Sequence, residues 1–451
     1  MLAQLYAGTD LSQKVQCNDL PHLWHWRHCQ PMTEALSADV CVIGAGPVGG
    51  TLACRLAAAG IATVVVDRAA LPPMEHPAFD GRAYAIAAGS RRLLQDAGLW
   101  DRLPEAPCPI LDIRVSDGRI GRPASPLFLH FDHSEAGEGA GPFGWMVEAR
   151  SLRTALNAHM PTLPELRVFA PADAAVARRE DGATVRIAGG PRIECRLVVA
   201  AEGRNSPLRE AANIPVTRLP YRQTGIVCAI SHAKPHCNTA LEHFLPSGPF
   251  AQLPMSPSTD AELGGAPNVS AIVWTERTPI ALNVLRLDDA RFAGEIARRL
   301  GDHLGAIHTV GRRWSYPLSA MHAHRYADTR LVLVGDAAHA IHPIAGQGLN
   351  LGFRDAIALS ELLIDASRRG DDLGSPALLS RYQRRRRPDN LLMLAATDAL
   401  DRLFSTDHPL LRLARDVGIA AVHRAPPLKR LFMRQAMGLP LVGARTAQPE
   451  C

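Results

Sequence analysis

The amino-acid sequence predicts an α/β protein. It has a Rossmann-like dinucleotide-binding domain, an inserted domain of mainly antiparallel strands and a helical C-terminal region. Residues 39–66 read as a strand, a helix and a strand around a glycine-rich turn, which is the order of a βαβ unit. Between residues 216 and 320, short β-branched runs alternate with loops rich in Pro and Gly, a pattern typical of an antiparallel sheet. Beyond residue 377, apolar residues recur at helical spacing.

The predicted domains are interleaved along the chain. The dinucleotide-binding domain takes residues 38–215 and 321–370, and the inserted substrate-binding β domain takes residues 216–320. Residues 371–451 form the helical region. The domains therefore cannot be read as consecutive blocks, because the strand at residues 331–334 returns the chain to the first domain.

The individual elements are predicted from runs of apolar residues and from their period. Strands are expected at 39–43, 62–66, 184–187, 197–201, 226–230, 271–275, 281–285 and 331–334. Helices are expected at 48–59, 90–96, 152–159 and 348–364, and in segments of 377–440 that end at Pro388, Pro409, Pro426, Pro427 and Pro440.

Composition excludes several classes of protein. The chain has 451 residues, of which 47% are hydrophobic and 21% charged, and its formal net charge is +5. No apolar run approaches the ~18 residues of a membrane-spanning helix. Aromatic residues make up only 5% and one short basic run stands at 384–387, so nucleic-acid binding is not expected. The nine cysteines show no C-x-x-C spacing, which argues against a metal site or a disulfide framework and favours a reducing, cytoplasmic compartment.

The N-terminal segment, residues 1–37, is polar and is interpreted as an extension that precedes the first domain, with disorder as one expectation. It contains no apolar region of the kind found in secretory signals. Met32 lies just before the first strong motif, and it is an alternative start of the chain.

The glycine-rich turn has the sequence GAGPVG at residues 44–49, with glycines at 44, 46 and 49. A strand precedes it, a helix follows it, and Asp67 ends the next strand, which is the context of a dinucleotide-binding turn. Backbone N–H groups at the helix N-terminus bind a pyrophosphate, and the carboxylate accepts hydrogen bonds from a ribose diol. A second match at residues 139–144 lacks both flanking elements and is predicted to be a loop.

Two further motifs stand near the end of the predicted first domain. Asp336 follows the buried strand at 331–334, where ligands bind in open α/β sheets. The loop HPIAGQGLN at 342–350 then leads into a helix, whose positive N-terminus suits the negative charge of a reduced flavin. His339 and His342 flank this region and are interpreted as structural or positioning groups.

Together with the sequence DGR at residues 80–82, these motifs resemble the group A flavoprotein aromatic hydroxylases, whose fold is that of para-hydroxybenzoate hydroxylase. Within that group the chain is similar to the ubiquinone-biosynthesis hydroxylases, from about residue 38 to residue 438. The resemblance implies FAD as cofactor, NADH or NADPH as transient reductant and O₂ as co-substrate. It also implies hydroxylation of a polyprenylated phenol through a flavin C4a-hydroperoxide, so the flavin performs the chemistry and neither an acid/base residue nor a metal is assigned.

The resemblance also implies which residues contact the cofactor. They are Gly44, Gly46, Gly49, Asp67, Arg82, Arg150, Glu202, Asp336, Gly346, Gln347, Gly348, Leu349 and Asn350, of which Gly346, Gln347 and Gly348 flank the isoalloxazine together with Pro343. Glu202 departs from the Asp that relatives usually carry, and a solvated loop acid is the other interpretation of it. An apolar, turn-rich stretch is the predicted lining loop of the substrate pocket, with Phe244, Pro249, Phe250, Ala251 and Leu253.

Three other functions stay open from the sequence. The chain could be a flavin hydroxylase of a small soluble aromatic acid, a flavin reductase that does not use O₂, or a flavin-binding subunit of a membrane-associated biosynthetic assembly. Residues 381–440 mix arginines with apolar residues, and they read either as a surface that contacts a membrane or partner complex or as a helical cap on the first domain. The expected location is the cytoplasm, with peripheral contact to the cytoplasmic face of the inner membrane.

Overall fold

The computed structural model describes residues 35–71, 82–118, 120–121, 128–136, 141–257, 265–404, 433 and 437. The alternative start Met32, most of the predicted extension 1–37, and Asp80 and Gly81 lie outside these residues. The prolines at 409, 426, 427 and 440 also lie outside them.

The described residues form strands and helices that we number along the chain. The strands are β1 (Ala35–Ile43), β2 (Thr63–Val66), β3 (Ala83–Ala87), β4 (Cys108–Ile110), β5 (Asp112–Asp117), β6 (Phe128–Asp132), β7 (Gly144–Glu148), β8 (Leu166–Phe169), β9 (Ala174–Arg178), β10 (Ala183–Ile187), β11 (Arg192–Ala200), β12 (Val216–His232), β13 (Thr239–Leu245), β14 (Gly248–Met255), β15 (Val269–Arg277), β16 (Ile307–Val310), β17 (Trp314–Ala323), β18 (Ala327–Asp328), β19 (Leu331–Leu333) and β20 (His339–Ala340). The helices are α1 (Pro47–Ala58), α2 (Ala88–Asp96), α3 (Ala149–His159), α4 (Pro207–Ala211), α5 (Thr278–Val284), α6 (Asp289–Leu300), α7 (Gln347–Arg368) and α8 (Pro376–Phe404).

The first sheet has the order β18-β19-β11-β1-β2-β8, and β1 pairs in parallel with both β2 and β11. Its central strands are buried on both faces, and Val40, Cys41 and Val42 are fully enclosed. Helices α1 and α7 pack together beside this sheet, where a Cβ on Gly352 would lie only 2.6 Å from Val48. The βαβ unit β1-α1-β2 is the predicted one, and the predicted α/β class is confirmed.

The second sheet has the order β20-β17-β12-β15-β14-β13-β5-β6, with β16 beside β12. Its pairs are antiparallel, except that β13 runs parallel to β5. The sheet takes β5, β6 and β20 from outside residues 216–320, the segment from which the inserted domain was predicted. A third, antiparallel sheet with the order β3-β7-β4 completes the fold.

Two predicted elements were wrong. Residues 281–285, predicted as a strand, belong mostly to helix α5, because the run fits both periods and Pro279 favours a helix start. Helix α8 does not end at Pro388 but runs through it. Its buried residues continue at helical spacing on both sides of the proline, with Arg386 before it and Asn390 after it.

Asp355, on α7, is the point at which four segments of the chain meet. Its carboxylate is fully buried and accepts hydrogen bonds from Gly335 N (3.0 Å), His339 Nε2 (2.5 Å), Arg386 Nε (2.7 Å) and Asn390 Nδ2 (3.1 Å). Burial by itself raises the pKa of Asp355, but the neighbouring His339 and Arg386 outweigh it and lower the pKa to about 2. The carboxylate therefore stays ionised and attaches α8 to the end of β19.

We predict that Asp355→Asn strongly destabilises the protein. The substitution removes the fully buried counter-charge of the Arg386 guanidinium and leaves it only the partly exposed Asp389, and breaking a buried pair costs about 3–5 kcal/mol. Urea unfolding of the FAD-loaded protein at neutral pH measures the difference.

Asp371→Asn is the matched control, because Asp371 forms an exposed ion pair with Arg369 and such pairs contribute little. Since the folded pKa of Asp355 lies below its ordinary value of 3.8, the stability it contributes is complete above about pH 4 and is lost as the pH falls towards 2. Equal midpoints for the two variants at pH 7 would contradict the role given to Asp355.

Candidate active site

A large cavity lies where the carboxyl ends of β1, β2, β11 and β19 face the second sheet. Its volume is about 1380 Å³. A pocket for one drug-sized ligand usually takes ~300–1,000 Å³, so this cavity has room for a large cofactor and a second molecule. Charged residues concentrate at the end formed by the first sheet, and the end formed by the second sheet is almost entirely apolar.

The turn between β1 and α1 forms part of the charged end. Asp67, after β2, accepts hydrogen bonds from Ala45 N (2.7 Å) and Ala69 N (2.8 Å), and it lines the cavity. Each carboxylate oxygen keeps a further lone pair. Asp67 therefore fixes the glycine-rich turn and can still accept a hydrogen bond from a ribose hydroxyl.

The three glycines of this turn differ in why a glycine is needed, since packing of the protein requires two of them and not the third. A Cβ on Gly44, where φ is +107°, would lie 2.4 Å from the Ala201 carbonyl oxygen, and one on Gly49 would lie 2.1 Å from the Gly44 oxygen. Both glycines are required by packing. Gly46 also lines the cavity, but a Cβ there meets no protein atom within 4 Å, and its φ of −63° suits any residue. A glycine that the protein itself does not need fits the close approach of a pyrophosphate, so these residues fit FAD.

A second charged wall comes from the segments after β11 and β19. Glu202 accepts hydrogen bonds from Ser206 Oγ (2.5 Å) and Leu208 N (3.2 Å), so it holds the start of α4 rather than being a solvated loop acid. Burial raises the pKa of Glu202, and these hydrogen bonds oppose the rise. Arg204, which sequence reasoning did not assign, lies two residues further on and pairs its Nε with Asp336 Oδ2 at 3.1 Å. The sequence signal that could have identified Arg204 is its position two residues after Glu202, which the resemblance had already assigned to the cofactor.

Two arginines were predicted to approach the cofactor, and in the structure one of them lines the cavity and the other does not. Arg82 lines the cavity with its guanidinium 4.5 Å from the centre of the Trp314 ring. Arg150 is not among the lining residues, because it bonds Glu105 and Glu148 at 2.8 Å each. In this structure Arg150 is an ion-pair group, and its approach to the cofactor stays a prediction.

The loop before α7 and the first turn of that helix form the boundary between the two ends of the cavity. Pro343, Gly346, Gly348 and Leu349 line it, whereas Gln347 and Asn350 do not. The buried Asn350 side chain donates to the Ala85 oxygen (2.8 Å) and accepts from Ala87 N (2.9 Å). The Asn350 side chain therefore holds β3 against the helix start, and contact of Asn350 with the flavin stays a prediction.

The two histidines near this loop also lie outside the cavity lining. His339 bonds Asp355, as described above. His342 is fully buried, with its Nε2 3.3 Å from Gln223 Oε1 and 3.6 Å from Asp401 Oδ1. Both positions suit side chains that orient the loop.

The predicted pocket stretch is not a loop but the hairpin of β13 and β14. Phe244, Pro249, Ala251 and Leu253 line the apolar end of the cavity. Phe250 does not, because successive strand residues point to opposite faces, and its ring packs near Trp274 with a centroid distance of 6.0 Å. The prediction is therefore corrected for Phe250.

The charged residues of the described lining are distributed unevenly. They are Asp67, Arg68, Arg82, Asp173, Glu202, Arg204, Glu242 and Asp336. Glu242, on β13, is the one that lies on the second sheet, and sequence reasoning missed it because a single acid in a strand carries no motif. Burial raises the pKa of Glu242 to about 7.

The fold and the cavity define an FAD-binding protein, and comparison with known proteins agrees. Residues 37–396 match the family described as FAD binding domain. The chain belongs to this family and is an FAD-dependent aromatic monooxygenase of the ubiquinone-hydroxylase type, with FAD as its cofactor.

Two relatives illustrate the match in sequence. The ubiquinone hydroxylase UbiL of Rhodospirillum rubrum is 50% identical over 402 residues, covering 89% of this chain and 90% of that protein. The 3-demethoxyubiquinol 3-hydroxylase of Escherichia coli is 32% identical over 404 residues, covering 89% of this chain and 98% of that protein.

Solved structures agree in fold. The p-nitrophenol 4-monooxygenase PnpA of Pseudomonas putida has a TM-score of 0.68 at 18% identity, covering 90% of this chain and 98% of that chain. A mutant of PqsL from P. aeruginosa also has a TM-score of 0.68, at 24% identity, covering 85% of this chain and 100% of that chain. At these identities the likeness establishes the fold alone.

We predict that Gly46→Ala folds normally but binds FAD at least about tenfold more weakly, a loss of ~1.4 kcal/mol. The added methyl group meets no protein atom and occupies space on the cavity side of the turn. Titration of deflavinated protein with FAD, followed by flavin fluorescence, measures the affinity, and thermal unfolding of the same preparation checks the fold.

Gly294→Ala in α6 is the control, because its Cβ also meets no atom within 4 Å and the residue lies outside the cavity. It should keep the FAD affinity and gain about 0.5–1 kcal/mol of stability as a helical alanine. An unchanged FAD affinity in Gly46→Ala would show that no ligand approaches this turn.

Proposed function

We propose that the protein hydroxylates the aromatic ring of a polyprenylated phenol in ubiquinone biosynthesis, using NADH or NADPH and O₂. When bound, FAD supplies the redox chemistry, and the protein binds, orients and shields the reactants. The observation that carries the proposal is the polarity of the cavity, with a charged end for the cofactor and a large apolar end for a ring and its tail.

The apolar end suits a reaction that must exclude water. Its walls come from the second sheet, from β4 and from the end of α8, including Phe131, Val227, Phe244 and Phe404. The rings of Phe244 and Phe404 stack with centroids 4.0 Å apart, so α8 closes the cavity over the sheet. Each CH₂ of a prenyl tail buried there contributes about 0.8 kcal/mol.

The second candidate, hydroxylation of a small aromatic acid, is less favoured by the arrangement of charges. Proteins bind carboxylates mainly through arginine or lysine. Within the described lining, no arginine or lysine lies on the second sheet. At the charged end, Arg204 pairs with Asp336 and Arg82 stacks on Trp314. A substrate without a carboxylate therefore fits the apolar end better.

The outer face of α8 supports contact with a membrane surface, and we include this contact in the proposal. In the described part of the chain no helix is long and apolar enough to span a bilayer. Leu391 and Leu392 are exposed on α8, about two turns beyond the exposed Arg384 and Arg385. Leu400 is 39% exposed and also lines the cavity, so a tail can leave the cavity beside this helix.

We predict that a prenylated phenol stimulates NAD(P)H oxidation and O₂ uptake by the FAD-loaded protein and gains one oxygen atom. Its kcat/KM should exceed that of an unprenylated hydroxybenzoate by at least about a hundredfold, since burial of a few CH₂ groups supplies that factor. Oxygen-electrode assays and mass spectrometry of the product test this.

The other outcomes identify the alternatives. Preferential stimulation by the hydroxybenzoate would support a hydroxylase of small aromatic acids. Flavin reduction without O₂ uptake would support a reductase, and bound FAD that no nicotinamide reduces would support a flavin-binding subunit.

We predict that the double substitution Leu391→Glu/Leu392→Glu abolishes flotation of the protein with vesicles that contain anionic lipid. The two glutamates replace exposed apolar contacts and repel the surface that the arginines attract. FAD content and solution activity should be unchanged, because neither leucine lines the cavity.

Leu282→Glu on α5 is the matched control, since Leu282 is also an exposed leucine on a helix. It should float like the wild type. Equal flotation of wild type and double variant would remove the membrane contact from the proposal and leave the cap interpretation of α8.

A further inference from the structure

Glu242 occupies the centre of the apolar wall of the cavity. In register it pairs with Val115 on β5 and with Ala251 on β14, and both partners line the cavity. Ala240 and Phe244, two residues before and after it on β13, line the cavity as well. The carboxyl therefore belongs to a sheet face whose other lining residues nearby are hydrocarbon.

The Glu242 carboxyl is half-buried at the cavity wall, and unlike the buried carboxyls of Glu276 and Asp355 it has no partner among the described residues. Among the described residues, nothing donates a hydrogen bond to it and no cation pairs with it. By contrast, Glu276 on the same sheet pairs with Arg299, and Asp355 has four donors. An unpartnered carboxyl in an apolar wall opposes folding, and a leucine or methionine would fill the space better. A structural role does not explain it.

Burial is the dominant influence on the pKa of Glu242, although other titratable and charged groups lie on the elements packed around it. They are Asp112, Arg114 and Asp117 on β5, His243 on β13, and Asp401 and Arg402 on α8, whereas β14 has none. Asp112, Arg114 and His243 lie on the opposite face by strand alternation. Asp117 shares the face of Glu242 but lies beyond the cavity lining. Because burial raises the pKa of Glu242 to about 7, its carboxyl changes charge at physiological pH.

We propose that Glu242 is the general base for the hydroxylation, accepting the proton of the substrate's ring hydroxyl as a ring carbon attacks an electrophilic oxygen. The inference rests on the proposed function, because it requires a phenol in the cavity. A phenol hydroxyl that enters the apolar end also needs a hydrogen-bond acceptor, and Glu242 is the carboxylate that this end offers.

The proton transfer balances without a further reactant. The O–H bond of the phenol breaks, its electron pair stays on the oxygen and becomes shared with the ring, and the proton forms a new O–H bond on Glu242. The ring carbons beside and opposite the oxygen gain electron density, which favours attack on an electrophilic oxygen. Since a phenol has a pKa of about 10, the transfer accompanies the attack rather than preceding it. When the hydroxylated ring carbon loses its hydrogen as a proton to solvent, Glu242 returns its own proton to the ring oxygen, so the aromatic ring and Glu242 are both regenerated.

The first test compares Glu242→Gln and Glu242→Leu with the wild-type holoenzyme on a prenylated phenol. Wild-type kcat should rise with pH through about 7, because the carboxylate is the active form. Glu242→Gln keeps a hydrogen-bond acceptor but cannot take a proton, so kcat should fall about a hundredfold or more and lose this rise while KM changes little. Glu242→Leu should also raise KM, because the acceptor is gone.

Asp112→Asn is the matched control. It removes a carboxyl from the neighbouring strand, on the opposite face, where Asp112 bonds His130. Its activity and pH profile should equal those of the wild type. If Glu242→Gln keeps both the wild-type kcat and the wild-type pH profile, the proposal is wrong, while the proposed function stands on the wild-type activity.

A second test does not need turnover. Binding of a prenylated phenol and of its methyl ether to the oxidised holoenzyme is measured at pH 6 and pH 8 by changes in flavin absorbance. The wild type should favour the phenol about tenfold over the ether at pH 8, and less at pH 6, and Glu242→Leu should lose the preference. Equal preferences in both proteins would overturn the Glu242 proposal. A wild type that shows the preference but hydroxylates no phenol would overturn the proposed function instead.

Discussion

The Asp355 carboxylate is the interaction on which the rest of the site depends. It joins the backbone at Gly335, the His339 ring and the Arg386 guanidinium inside the protein, where only a fully paired charge is stable. Gly335 and His339 stand on either side of Asp336, the acid that reaches the charged end of the cavity. The geometry of the cofactor end is therefore set by a residue that does not touch the cavity.

The same carboxylate explains why helix α8 can both line the cavity and present exposed leucines at the surface. Arg386 and Asn390 attach α8 to α7 on both sides of Pro388, where a proline would otherwise favour an end or a kink. The helix continues to Phe404, so Leu400 and Phe404 reach the apolar end of the cavity. The exposed leucines lie between this anchor and the cavity, so the proposed membrane contact and the proposed path of a tail fall on the same helix.

Local patterns in the sequence predicted the parts of the site that are local in the structure. The glycine turn, Asp67 and the start of α7 each lie within one strand–turn–helix unit, so spacing was enough to predict that they belong to one site. The positions of the Arg150 and Asn350 side chains could not be predicted in this way, because each bonds a residue that is distant in sequence, Glu105 and Ala85 respectively. Phe250 was misplaced because hydrophobicity does not reveal which face of a strand a residue occupies. Residues 281–285 were misread because a short apolar run fits both a strand and a helix.

The cavity keeps its charges at one end, and this separation gives a single carboxyl at the other end unusual properties. At the charged end, Asp336 has Arg204 beside it and Glu202 has two hydrogen-bond donors, so neither is available to a substrate proton without losing a partner. Glu242 has no such partner, and the apolar wall that destabilises its charge also makes it a stronger base than an exposed carboxylate. An apolar pocket selects a lipid-like phenol by burial but cannot remove a proton. Glu242 accepts the proton within this apolar pocket. It does so without an arginine or lysine beside it, which would also bind aromatic acids.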